Sequence, residues 1–128
     1  MFLSYSSLDS DYATELQSVL EQAGLKVFRD RNHLELGSRF DPSIRNALLS
    51  AHEIVILCSP SSIASDWVKR ELGAAWALGK AVTPVVLHME IDNLPSELRD
   101  RQASYFEEMV RDRTGWRFIS EFKQRNML

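Results

Sequence analysis

A single cysteine, Cys58, is present in 128 residues. No disulfide can close within the chain, and no cysteine-based zinc cluster can be built from it. Cys58 ends an apolar run, Ile54-Val55-Ile56-Leu57-Cys58, and reads as a core thiol, since the sequence identifies no base to activate it. Charge of one sign is also lacking: the net charge is −3 with both signs interspersed, without the basic face of a general nucleic-acid binder. There is no run of eighteen apolar residues, no signal-peptide pattern and no lipidation motif, so a cytoplasmic protein without membrane attachment is expected. The three histidines, His33, His52 and His88, are scattered without metal-ligand spacing and read as loop or solvated residues. Repeats, low-complexity runs and linkers are absent as well. What remains is 45% apolar and 26% charged residues over a length suited to one domain with a real core. Residues 1–128 are therefore expected to form a single domain.

Met1-Phe2-Leu3-Ser4-Tyr5 is strand-like from the first residue, which suggests a piece excised from a longer chain. Ser6-Ser7-Leu8-Asp9-Ser10-Asp11 supplies loop and N-cap chemistry. A helix follows with Tyr12, Leu16, Val19, Leu20 and Ala23 on its inner side and Gly24 as its stop. Lys26-Val27-Phe28 reads as a short second strand. Arg29 to Phe40 is polar, irregular and too long for a tight turn. Asp41-Pro42 looks like the start of a helix whose apolar side is Ile44, Ala47, Leu48 and Ala51. Glu53 to Cys58 is a third strand, apolar enough to be central and covered on both faces. Ser59 to Gly79 is predicted as one helix and Ala81 to Leu87 as a fourth strand. Pro84 argues for a bulge or a strand end there. Beyond Leu87 the pattern weakens: a helical turn over Leu94 to Leu98, an edge strand over Gln102 to Phe106, and a last helix carrying Trp116, Ile119 and Phe122. Strands alternating with helices give an α/β class, a flavodoxin-like, doubly wound, five-stranded parallel sheet with helices on both faces.

In such a sheet, ligands sit outside the carboxyl ends of the strands. Those ends should present Ser6 to Asp9, Arg29 to Phe40, Ser59 to Trp67, and the residues after Leu87. The first loop has no glycine, so the dinucleotide fingerprint G-x-G-x-x-G is missing, and no Walker loop occurs anywhere. The third strand ends in Cys58-Ser59 where a phosphoacceptor aspartate would be needed in a receiver domain. G-x-S-x-G is absent too. One anomaly stands out. On the helix after the third strand, Ile63, Trp67, Val68, Leu72, Ala75 and Leu78 share a side, and Glu71 falls among them. A carboxylate there either pairs with a basic side chain at the end of the stripe or faces a cavity. A lone carboxylate with an indole one turn before it suits cleavage of an N-glycosidic bond whose leaving group is already cationic, such as nicotinamide in NAD+. A pyridinium departs neutral and needs no general acid, unlike the departing oxygen of an ordinary glycoside. Both readings of Glu71 are compatible with its spacing.

At these residues the sequence resembles a bacterial TIR (Toll/interleukin-1 receptor) domain of the NAD-cleaving type. The resemblance is carried by Phe2-Leu3-Ser4-Tyr5-Ser6, Val27-Phe28-Arg29-Asp30, Leu34-Glu35-Leu36-Gly37, Ser59-Pro60-Ser61-Ser62, Ser65-Asp66-Trp67-Val68-Lys69-Arg70-Glu71-Leu72 and Gly79-Lys80-Ala81-Val82-Thr83-Pro84-Val85. Order and spacing agree along Phe2 to Leu87, about two thirds of the chain. The resemblance implies that Glu71, the last residue of a W-x-x-x-E motif, is the catalytic carboxylate. It implies that Trp67 walls the substrate pocket, where a core tryptophan is the plainer alternative. Ser4, Tyr5 and Ser6 would line the nucleotide pocket. Glu35 and Phe40 would contribute from the loop Arg29 to Phe40, which would also carry TIR–TIR contact. Many relatives have a basic residue directly after the tyrosine; here Ser6 and Ser7 stand there, leaving Arg29, Arg31 or Arg39 as substitutes for a phosphate contact.

The function implied is that of an NAD+ nucleosidase giving nicotinamide plus ADP-ribose or a cyclic isomer. No metal and no cofactor is implied, NAD+ being the substrate. Activity would depend on self-association and on a fused or partner sensor domain, in bacterial antiphage signalling. The alternative is a non-catalytic TIR–TIR interaction module or host-signalling mimic. A nucleotide-sensing domain without chemistry is the third reading.

Overall fold

Strand and helix positions follow from where apolar side chains find cover. The computed structural model describes residues 1–29, 50–64, 69–70, 73, 76–95, 98 and 103–111. Within them run β1 (Phe2–Ser4), a 3-10 turn (Ser7–Asp9), α1 (Ser10–Gln22), β2 (Phe28–Arg29), β3 (Glu53–Cys58), α2 (Pro60–Ile63), β4 (Ala81–Val86), a second 3-10 turn (Ile91–Asn93), β5 (Ser104–Tyr105) and α3 (Phe106–Val110). The strands form one sheet in the order β2-β1-β3-β4-β5, and every pairing is parallel. This is the five-stranded parallel α/β sheet expected from the alternation of elements.

Pleating sends alternate residues to opposite faces. Leu3, Val55, Leu57, Val85 and Leu87 enter one cluster, which Ala13, Leu16 and Leu20 of α1 and Phe106 and Met109 of α3 complete. Phe2, Ile54, Ile56, Cys58, Val82 and Val86 enter the other, with Ala51, Leu94 and Leu98. All six residues of β3 are buried, as its unbroken apolar run requires. The carboxylate of Glu53, at the far end of β3 from Ser59, is also buried and accepts a bond from Thr83 Oγ1 at 3.2 Å.

α1 ends as its sequence predicts. Gly24 takes the left-handed conformation (φ 92°), and Leu25 N–H returns to the Leu20 carbonyl at 3.1 Å.

Four expectations need correction. First, β2 is Phe28–Arg29 rather than Lys26 to Phe28, because Phe28 N–H pairs with the Met1 carbonyl and its ring stacks on Phe2, centroids 5.6 Å apart. Second, β4 carries Pro84 through six registered pairs with β3, without a bulge and inside the strand. Leu87 N–H donates to the Cys58 carbonyl, so alternation turns the nitrogen of Pro84 toward β5. Among the described residues the β5 ladder begins at Val85, and no bond is forfeited at Pro84. Pro84→Ala should therefore leave the urea midpoint nearly unchanged, within about 1 kcal/mol, the loss being unfolded-state entropy.

Third, the predicted helix Ser59 to Gly79 is not a single uninterrupted element. α2 closes at Ala64, whose N–H turns back to the Ser62 carbonyl, and helical residues recur at Lys69, Arg70, Gly73, Trp76 and Ala77. Fourth, Leu78, expected inward, is 44% exposed. It lies in the turn closed by left-handed Gly79 (φ 66°), where helical phase no longer applies. The turn ending at Leu98, whose N–H reaches the Pro95 carbonyl, agrees with expectation, and the edge strand is found over Ser104–Tyr105, Phe106 starting α3 instead of ending the strand. The helix over Trp116, Ile119 and Phe122, and most of that begun by Asp41-Pro42, lie outside the described residues.

Candidate active site

The strand order reverses between β1 and β3. The chain leaves β1 for β2 on one side and then crosses to β3 on the other, so the carboxyl ends of β1 and β3 flank the switch point where ligands bind in such sheets. One wall is Ser4, Tyr5 and Ser6. The other is Cys58 and Ser59.

Each wall is shaped by short polar bonds. Ser6 starts the 3-10 turn: its Oγ accepts from Leu8 N–H at 3.4 Å and its carbonyl from Asp9 N–H at 2.8 Å. Ser59 starts α2 with a reciprocal capping box. Its Oγ accepts from Ser62 N–H at 3.1 Å, and its own N–H donates to Ser62 Oγ at 2.8 Å. The walls are then tied together, because Ser59 Oγ–H donates to the Asp9 carboxylate.

Ser4 is buried against the sheet, and among the described residues its hydroxyl has no hydrogen-bond partner. An orphaned buried hydroxyl costs about 1–3 kcal/mol, so a group that can bond it gains by arriving there. Tyr5 lies on the opposite, α1 side, and the Arg29 guanidinium stands 4.9 Å over its ring. Arg29 donates to Thr14 Oγ1 at 2.8 Å and to Ser10 Oγ at 3.3 Å, while its buried Nε is left without a hydrogen-bond partner among the described residues. These neutral hydroxyls and the ring face hold the guanidinium without neutralising it. Arg29→Lys should not replace it, since a point charge cannot span both hydroxyls and stack on the ring. Thermal melting should show the loss, Lys and Ala variants falling together.

The sequence-predicted residues Ser4, Tyr5, Ser6 and Arg29 are thus brought to one end of the sheet, and Tyr5 and Arg29 touch. Trp67, Glu71, Glu35 and Phe40 lie outside the described residues, as do Arg31 and Arg39. Sequence reasoning gave Asp9 a loop or capping role in a segment at the carboxyl end of the first strand, without a partner. The structure gives it a partner fifty residues away, which no local spacing signals.

His88 follows β4 with a left-handed backbone (φ 58°), and its ring meets Tyr12 edge-on at 5.1 Å. Among the described residues no cluster of His, Cys, Asp or Glu is placed to hold a metal ion. Burial pushes the Cys58 thiol up to about 12, and its Sγ sits 3.6 Å from the Ile56 carbonyl. Almost no thiolate exists at pH 8, so iodoacetamide should leave Cys58 unlabelled in the folded protein and label it fully in urea.

Residues 1–117 match the family model described as TIR domain. This chain belongs to the TIR domain family. A 72-residue stretch, 56% of the chain, is 36% identical to the NAD(+) hydrolase TirS of Staphylococcus aureus. That stretch spans 26% of the hydrolase, about a quarter of its length. Among solved structures, this TIR domain is similar to that of the Toll-related receptor TRR-2 from Hydra magnipapillata. The TM-score is 0.74 at 18% identity, over 97% of this chain and 95% of that one. It is also similar to a metazoan TIR-STING receptor from C. gigas, with a TM-score of 0.66 at 20% identity, over 99% of this chain and 40% of that one. The TIR domains of the activated Roq1 resistosome give 0.60 at 15% identity, over 97% of this chain and 75% of that one. At these identities the likeness is one of fold. No helix among the described residues of this TIR domain is long and apolar enough to cross a membrane.

Proposed function

We propose that this TIR domain cleaves the bond between nicotinamide and ribose in NAD+. The observation that carries the reading is the 36% identity, over 72 residues, to a protein named as an NAD(+) hydrolase. In the reaction, the bond from the anomeric carbon to the pyridinium nitrogen breaks and its electron pair goes to the ring, which leaves as neutral nicotinamide. Water then adds to the oxocarbenium-like carbon and loses a proton, giving ADP-ribose; an internal base of the same substrate in place of water gives a cyclic isomer. One anion beside that carbon is the required contribution, and Glu71 is the residue we assign to it.

The described helical positions support this choice of side chain. Lys69, Arg70, Gly73, Trp76 and Ala77 are all exposed. On a wheel of 100° per residue they fall within one arc of about 120°, and sequence spacing assigns Glu71 to the opposite arc. Ser4, Tyr5, Ser6 and Arg29 suit the polar nucleotide portion, with Glu35, Phe40 and Trp67 as further contacts. Self-association completes the proposal, since TIR domains of the Roq1 resistosome stand among the structural relatives.

Incubation of concentrated protein with NAD+, followed by chromatography, tests it. Nicotinamide should appear with ADP-ribose or a cyclic isomer, and Trp67→Ala should shift the ratio of products if its indole holds the base. Undegraded NAD+ at every protein concentration would favour the second reading, a contact module. Trp76, 75% exposed, and Leu8, 81% exposed, are the surface features on its side.

A further inference from the structure

Asp9 is only 6% exposed, yet its side chain makes no bond to the helix it precedes. A carboxylate just before a helix ordinarily caps it. Here the carboxylate is instead the acceptor for Ser59 Oγ–H, across the switch point.

We propose that Asp9 is a positioning residue, which fixes the turn after β3 against the turn after β1 and so sets the shape of the crevice between them for a dinucleotide. The proposal rests on the NAD+ reading above for its ligand, but not for its geometry. α2 has four residues, too few for a helix to persist alone. Its restraints are largely polar: Ser59 and Ser62 are buried and bonded to each other three times, through both N–H groups and through Ser62 Oγ–H to the Ser59 carbonyl at 3.3 Å. That box is internal to the turn and fixes its shape, not its place. Asp9 ties the box to the β1 side, in a chain running from Asp9 through Ser59 to Ser62. Without the carboxylate, the Ser59 hydroxyl is free to rotate and the turn loses its reference to Ser4, Tyr5 and Ser6.

Amide hydrogen exchange tests the geometry without reference to activity. In Asp9→Ala, exchange at Ser62 and Ile63 should accelerate at least about tenfold, the effect of one lost charge-assisted bond, while the ladder amides of β3 and β4 keep their protection. Ser59→Ala breaks the same bond from the other side but also removes the acceptor of Ser62 N–H, so it serves the kinetic comparison only. Should Asp9→Ala fold poorly, Asp9→Leu, which keeps the volume without an acceptor, takes its place in the exchange measurement. Steady-state kinetics with NAD+, referred to folded protein, should show kcat/KM lowered about tenfold in either variant, and the double variant no worse than the worse single one. Asp9→Asn, which keeps an acceptor oxygen, should stay within about threefold of the parent.

Unchanged exchange at Ser62 and Ile63 in Asp9→Ala overturns the proposal. Raised exchange with unchanged kcat/KM makes the bond a matter of stability and overturns the positioning role. A parent chain that releases no nicotinamide overturns the NAD+ reading alone, and the exchange result still decides whether Asp9 fixes the turn.

Discussion

Glu71→Ala is expected to lower nicotinamide release by about 100- to 1,000-fold while leaving the melting temperature close to that of the parent. The size follows from the role: a preorganised charge facing positive charge that develops at the anomeric carbon is worth about 3–4 kcal/mol in such sites. Glu71→Gln keeps the shape and removes the charge, so it should be nearly as inactive. The competing reading, a carboxylate paired with a basic side chain, gives the opposite pattern. Breaking a buried pair leaves an uncompensated charge and costs about 3–5 kcal/mol of stability. Melting curves beside turnover rates therefore separate the two. An inactive, fully stable variant supports the catalytic role; a variant destabilised by several kcal/mol supports the pair.

The second large effect belongs to packing. Phe106 is 1% exposed, begins α3 and lies edge-on to Tyr12 with centroids 5.5 Å apart. It joins the only two helices described on that face of the sheet, so truncation empties the seam between them as well as the sheet surface below. Phe106→Ala should cost about 3–5 kcal/mol. Against a total of about 5–15 kcal/mol for a domain, that is a large fraction. Urea unfolding should show the midpoint falling with little change in slope, and the melting temperature should drop by at least about 10 °C. Phe106→Leu, which refills most of the volume, should recover more than half of the loss. A cost below about 1 kcal/mol for the alanine variant would mean that α1 and α3 are held by something other than this contact.

The parts of the fold that were legible in the sequence are those where one residue pattern has one stable solution. Ile54 to Cys58 has no polar side chain to expose, so it must be central. Gly24 follows an amphipathic run, so α1 must stop there. What was not legible depended on neighbours. Whether Pro84 breaks a ladder depends on which side its nitrogen faces and where β5 begins, and neither is local. The place of β2 was decided by Met1 and Phe2, which pair with Phe28. Ser59 to Gly79 carried a helical period throughout, yet the first turn closes at Ala64, whose backbone N–H returns to the Ser62 carbonyl.

The candidate site divides in the same way. Ser4, Tyr5 and Ser6 could be placed at a strand end from the chain order alone, because the parallel sheet fixes which end faces the crevice. The partner of Asp9 could not be read that way. Nothing near it in sequence distinguishes a solvated N-cap from a buried acceptor, and the distinction is made by Ser59. Arg29 was legible as a cation near the pocket, but not as a clamp on Thr14 and Ser10 stacked over Tyr5.

The central claim is most directly tested by a crystal structure of this domain with a non-cleavable carbocyclic NAD+ analogue. The account predicts the nicotinamide-side ring between the carboxyl ends of β1 and β3, beside Ser4 to Ser6, with a Glu71 oxygen within hydrogen-bonding distance of its hydroxyls. An analogue bound elsewhere, or a Glu71 carboxylate paired with an arginine and no room before it, would contradict it.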